Sequence, residues 1–266
     1  MLQRLVLLLL FAGVTGLLPL RSADAQHYAN ATGKNMLGSS MAACNPQQFA
    51  KMKQELADWP DLARYQKADA KLPAPTPGQP RVVFMGDSIT DIWGRLPWTG
   101  KFFPGKPYIN RGISGQTTPQ MLLRFRQDVI DLHPAAVLIL AGTNDLAGNT
   151  GLESNTTIEN NYRSMAELAQ IHHIRVIFAS ITPAAAYPWH KGIDPVARIR
   201  VLNQWLRAYC ATHHFVYVDY YDAMALPDGA MKPGISIDGV HPNAKGFAIM
   251  TPLAEEGIAE ALGQNN

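Results

Sequence analysis

The chain has 266 residues, 47% hydrophobic and 17% charged, enough apolar material for one sizeable core and unlike the composition of a disordered chain. Its 23 basic and 21 acidic residues leave a formal charge of +2 with no basic run of the kind that tracks phosphates, so no nucleic-acid partner is expected.

The N-terminus reads as an export signal. Arg4 precedes an apolar stretch from Leu5 to Leu20, and Ala23-Asp24-Ala25 fits a signal-peptidase site, which places the cut after Ala25 and the mature protein in a secreted or periplasmic location. The stretch is shorter than the roughly 20 residues of a spanning helix and is interrupted by Gly13, Gly16 and Pro19. No later segment is long and apolar enough to span a bilayer, so no stable membrane insertion is expected after cleavage. Export permits a Cys44 to Cys210 bridge, with two buried thiols as the other reading. Residues 26–80 read as a helical extension, with Phe49, Met52, Leu56 and Leu62 at helical spacings, followed by a proline-rich linker from Leu72 to Pro80. The main domain is expected at 81–266.

Within it, short apolar runs alternate with helical patterns. The runs are Val82 to Met85, Tyr108 to Asn110, Ala136 to Leu140, Val176 to Ala179 and Val216 to Val218, suited to strands buried on both faces. Met121 to Val129 is helical in pattern. Ile158, Tyr162, Met165 and Ala169 form one helical stripe behind a Ser154 or Asn155 cap, and Ile199, Leu202, Leu206 and Tyr209 form another behind Asp194-Pro195. Helix-length crossovers between five strands imply a parallel sheet covered on both faces, an α/β three-layer α/β/α sandwich with right-handed connections.

In such a sheet the loops leaving the carboxyl ends of the strands form the ligand crevice. Gly86-Asp87-Ser88, Gly112 and Gly142-Thr143-Asn144-Asp145 all leave that edge, and Asp238-Gly239-Val240-His241 precedes the last helix. A serine becomes nucleophilic when a base takes its proton and a third group orients the base, roles open to Ser88, His241 and Asp238. Asp238 and His241 are close enough in sequence for one tight turn to set a carboxylate against the imidazole. Asp87 and Asp145, beside the nucleophile and the amide, read as loop-organising groups.

Gly86-Asp87-Ser88-Ile89-Thr90, Asn110-Arg111-Gly112-Ile113-Ser114-Gly115, Gly142-Thr143-Asn144-Asp145 and Asp238-Gly239-Val240-His241-Pro242-Asn243, in this order, resemble the blocks of the SGNH or GDSL-like hydrolase family over about residues 81 to 260. The resemblance implies a flavodoxin-like three-layer fold with a five-stranded parallel sheet. It also implies attack by Ser88 on an ester carbonyl, with His241 as base and Asp238 as its orienting acid. The Ser88 N–H, the Gly112 N–H and the Asn144 side chain would form the oxyanion hole. No cofactor and no metal are implied, and neither the His172-His173 nor the His213-His214 pair has partners at metal-ligand spacing.

Trp93, Trp98, Arg111, Tyr187 and Trp189 are the candidate substrate-binding residues, the aromatics for sugar stacking or an acyl pocket and Arg111 for an anionic group. The expected substrate is a small-molecule or glycan ester with a short acyl group, acetyl first. A lipid or lysophospholipid esterase, an acyltransferase using the same residues, and a non-catalytic carbohydrate-binding protein on this scaffold are the competing readings.

Overall fold

The computed structural model describes residues 45–263 apart from Leu152. The expected export signal and Cys44 lie outside the described residues. The chain divides into a first unit ending at Gln54 and a second, Glu55–Asn266, that holds the sheet. Helix α1 (Pro46–Ala57) spans the division, and α2 (Ala63–Asp69) opens the second unit. No helix among the described residues is long and apolar enough to cross a membrane.

Five strands, β1 (Val82–Gly86), β2 (Tyr108–Gly112), β3 (Ala136–Leu140), β4 (Arg175–Ala179) and β5 (Val216–Val218), form one parallel sheet in the order β2-β1-β3-β4-β5. Every residue of β1 and β3 is buried, which is why these runs are continuously apolar in sequence. Successive side chains point to opposite faces. Val83, Met85, Val137 and Ile139 enter one core with Met121 and Phe125 of α4 (Thr118–Asp128), Ile158 and Tyr162 of α6 (Asn155–Ile171), and Ile199 and Leu206 of α7 (Val196–His213). Val82, Phe84, Leu138 and Leu140 enter the other, with Ile89 of α3 (Ser88–Ile92), Tyr220 and Met224 of α8 (Tyr220–Met224), and Phe247 and Met250 of α9 (Ala244–Ala261). The remaining helix, α5 (Thr143–Ala147), follows β3 directly. Ser154, not Asn155, caps α6, accepting from the Thr157 N–H at 3.0 Å. Strand order reverses about β1, whose neighbours are β2 and β3, so the loops after these strands open the crevice.

The expected boundary at residue 80 is not where the compact unit begins. Residues 59–69 lie on the sheet unit: the Pro60 carbonyl accepts from Gln116 Nε2 at 2.7 Å, the Trp59 carbonyl from Gln120 Nε2 at 2.8 Å, and the Leu62 carbonyl from Gln127 Nε2 at 2.6 Å. The Tyr65 hydroxyl donates to the Gly112 carbonyl, and Asp69 pairs with Arg111. This strap was not legible because its partners are glutamines and backbone groups far along the chain, which leave no local periodicity.

Beneath the ends of β1 and β2 sits a fully buried cation. Arg124 donates to the Gly86 carbonyl at 3.0 Å, the Arg111 carbonyl at 2.8 Å, the Gln116 side chain, and Asp128 at 2.9 Å. Burial pushes the Arg124 guanidinium below its ordinary value and the Asp128 carboxyl above its own, so each ion depends on the other. Removing one member of such a pair strands its partner in the core. Arg124→Ala should therefore lower the unfolding free energy by about 3–5 kcal/mol, read by urea denaturation. A loss under about 1 kcal/mol, the scale of an exposed pair, would contradict this reading of the core.

Candidate active site

Ser88 is the first residue of α3, where β1 ends, and Asp87 caps that helix by accepting from the Ile89 N–H at 2.9 Å. The Ser88 hydroxyl lies 2.9 Å from His241 Nε2, although the residues are far apart in sequence. His241 Nδ1 lies 2.7 Å from Asp238 Oδ2. The turn that joins them is built by the same carboxylate: Asp238 Oδ1 accepts from the Val240 N–H at 3.0 Å and the His241 N–H at 2.8 Å, while Gly239 takes a positive φ of 84°. Burial opposes the charge on Asp238, but these hydrogen bonds outweigh it and hold the carboxyl below its ordinary value. An ionised Asp238 keeps the ring proton on Nδ1. The Nε2 lone pair is then left for the serine hydroxyl.

Asn144, buried in α5, donates from Nδ2 to the Gln116 carbonyl at 3.0 Å and accepts at Oδ1 from Asn149 Nδ2 at 2.9 Å. Its second Nδ2 hydrogen remains for the pocket that Asn144 lines. The pocket has a volume of about 470 Å³ and is lined by Ser88, His241, Asn144 and Gly115, with Ile92, Trp98, Trp189 and Ile237 as its apolar wall.

Four expected site residues stand elsewhere. Gly112 is buried, its N–H donates to Asn110 Oδ1 at 2.9 Å, and a Cβ there would come within 2.1 Å of the Asp91 backbone nitrogen. It is a glycine because β2 passes that close to α3, and its N–H is not turned to the pocket. Gly115, three residues on, lines the pocket with a positive φ of 83°, and no hydrogen-bond partner is found for its N–H among the described residues. Trp93 is buried against Phe247, ring centroids 4.7 Å apart, and belongs to the core. Tyr187 is also buried, supporting Trp189 from 5.3 Å. Arg111 is held by Asp69 and stacked over Tyr65 at 4.6 Å, so its charge is spent inside the strap contact. Trp98 and Trp189 do reach the pocket, each about two-fifths exposed.

Sequence reading missed Gly115, Asn149, Ile92 and Ile237. Gly115 left a signal, a second glycine in the same short motif, but nothing local distinguishes it from Gly112. Asn149 left none. Asp145 organises the loop as expected, accepting from the Thr118 N–H at 3.0 Å and the Thr118 hydroxyl at 2.5 Å. Among the described residues no three His, Cys, Asp or Glu side chains group as metal ligands.

A profile of the GDSL-like lipase/acylhydrolase family matches residues 84–249. An assigned acylhydrolase from Bacteroides fragilis is 43% identical, with 77% of this chain and 98% of that chain covered and a TM-score of 0.74. A GDSL-like lipase from Bacteroides thetaiotaomicron is also 43% identical, covering 76% and 99%, with a TM-score of 0.73. An acetylxylan esterase from Geobacillus stearothermophilus shares the fold alone, at 20% identity, 67% and 94% coverage and a TM-score of 0.53. No curated protein matches the chain.

The carboxyl beside the serine makes the site's stability depend on pH. Burial pushes Asp87 from 3.8 up to about 6, against the Ile89 N–H and the neighbouring His241, which favour its charge. Because the folded value is the higher one, the protonated form contributes stability that is fully present below about pH 4 and is lost as pH rises through about 6. Asp87→Asn keeps the capping oxygen and removes the titration. Its melting temperature relative to wild type should rise between about pH 4 and pH 7, and parallel curves would contradict the assignment.

Proposed function

The chain belongs to the GDSL-like lipase/acylhydrolase family and is a hydrolase, and on that premise we propose that it cleaves short acyl esters, acetyl first, through an acyl-enzyme on Ser88. The observation that carries the proposal is the continuous chain from Ser88 Oγ to His241 Nε2, 2.9 Å, and from His241 Nδ1 to Asp238 Oδ2, 2.7 Å, at the wall of a pocket that Asn144 and Gly115 also line.

In this reading His241 Nε2 takes the hydroxyl proton as Oγ attacks the carbonyl carbon. The carbonyl oxygen gains negative charge, met by the Ser88 N–H, the Gly115 N–H and Asn144 Nδ2. His241 returns its proton to the departing alcohol, leaving the acyl group on Ser88. Water, deprotonated by the same ring, then attacks the acyl carbon; the ester bond to Ser88 breaks as His241 returns that proton to Oγ, and the carboxylic acid leaves. Asp238 stays ionised and balances the transient imidazolium.

The short-acyl assignment rests on the wall. Ile92 and Ile237 with the two indoles give apolar surface close to the nucleophile, while exposed Trp98 and Trp189 offer flat faces suited to a sugar ring on the alcohol side. A small-molecule or glycan ester matches both surfaces. Export belongs to the same proposal and is supported by Arg4, the Leu5–Leu20 stretch and Ala23-Asp24-Ala25.

With acetyl and octanoyl esters as substrates, Ser88→Ala and His241→Ala should fall to near background. Asp238→Asn should lose up to about ten-thousand-fold, and Asn144→Ala on the order of a hundred- to a thousand-fold in kcat with KM little changed. A fluorophosphonate should label Ser88 in wild type alone. A folded Ser88→Ala variant that keeps most of its esterase activity would overturn the mechanism, whereas a higher kcat/KM for octanoyl would overturn only the acyl size.

A further inference from the structure

An amide side chain has two ends of nearly equal size, and only one of them can stabilise an oxyanion. If Asn144 were turned over, its carbonyl would face the developing negative charge and oppose it. The neighbouring groups forbid this. The Gln116 carbonyl can only accept, and it takes a hydrogen from Asn144 Nδ2 at 3.0 Å. Asn149 Nδ2 donates to Asn144 Oδ1 at 2.9 Å.

Asn149 is itself an amide, and its direction is set from outside. Its second Nδ2 hydrogen goes to the Gly115 carbonyl at 3.0 Å, another group that can only accept. Its Oδ1 accepts from the Trp189 indole N–H at 3.1 Å, a group that can only donate. The direction therefore passes from the indole through Asn149 to Asn144 without ambiguity. Trp189 also lies 5.6 Å from the His241 ring, so one exposed side chain joins the amide side of the pocket to its base.

We propose that Asn149 is a positioning residue for catalysis: its amide N–H groups hold Asn144 with its donor toward the pocket and steady the Gly115 peptide, while its carbonyl keeps Trp189 beside His241. The proposal rests on the reading of Asn144 and Gly115 as oxyanion donors. Asn149 touches no reacting atom in this scheme. Its effect belongs to the transition state, where the oxyanion exists, and so to kcat rather than KM.

The test compares Asn149→Ala, Asn149→Asp, Asn144→Ala and the Asn144→Ala/Asn149→Ala double variant on an acetyl ester, with Ser88→Ala in parallel and a melting curve for each. Asn149→Ala should lose about tenfold in kcat with KM unchanged, the scale of one hydrogen bond. Asn149→Asp keeps the shape but sets one carboxylate oxygen, in the place of Nδ2, against both the Asn144 side-chain carbonyl and the Gly115 carbonyl, so it should lose more than Asn149→Ala. In the Asn144→Ala background most of the Asn149→Ala loss should vanish, because the amide it orients is gone. A residue that merely shapes the loop would give the reverse order, with the Asp variant close to wild type. That order, an unchanged kcat, or losses that multiply in the double variant would overturn the proposal while an inactive Ser88→Ala leaves the catalytic reading standing. An active Ser88→Ala would overturn both.

Discussion

The geometry of this site hangs on a guanidinium where water does not reach. Arg124 gathers the carbonyls that end β1 and β2, through Gly86 and Arg111, together with the side chain of Gln116, and is balanced by Asp128. The Gly86 carbonyl also accepts from the Ile113 N–H at 3.0 Å, so the guanidinium serves the second lone pair of a buried strand-end oxygen. One planar cation with several fixed donors satisfies these acceptors at once. The strand that delivers Ser88 and the loop that carries Gly115 are thereby held to a common anchor. From the far side the 59–69 strap closes on the same loop, through the Pro60 carbonyl and Gln116 and through Asp69 and Arg111.

Much of the fold was legible because burial on both sheet faces forces continuous apolar runs. Val82–Met85 and Ala136–Leu140 are such runs, and the helical stripes of Ile158 to Ala169 and Ile199 to Leu206 face the core as their spacing requires. Ser88 and His241 were legible for another reason. Their types, their order and their positions after a strand and before a helix constrain one another, and the structure brings them within 2.9 Å.

What stayed hidden depended on which way a side chain faces. Gly112 ends β2 and Gly115 lies in the loop that follows, and only the approach of β2 to α3 tells the packing glycine from the pocket glycine. Trp93 and Trp98 both follow the nucleophile closely in sequence, yet Trp93 falls among Phe84, Phe103 and Phe247 while Trp98 turns outward. The Arg111 charge looked available because Asp69 lies far upstream. Asn149 gave no signal, since its importance is a direction of hydrogen bonding and not a residue type.

The base and the carboxylate that orients it come from one turn, and that carboxylate also builds the loop that presents the imidazole. Two kinds of error in the site are thus separated. Drift among the packed layers changes how far His241 stands from Ser88 but leaves the proton on Nδ1, since that is settled within four consecutive residues. Damage to the turn alters the tautomer and the loop together, however well the sheet is formed. The Asp-His unit behaves as a self-contained part, and evolution can retune its alignment with the nucleophile without rebuilding its internal chemistry.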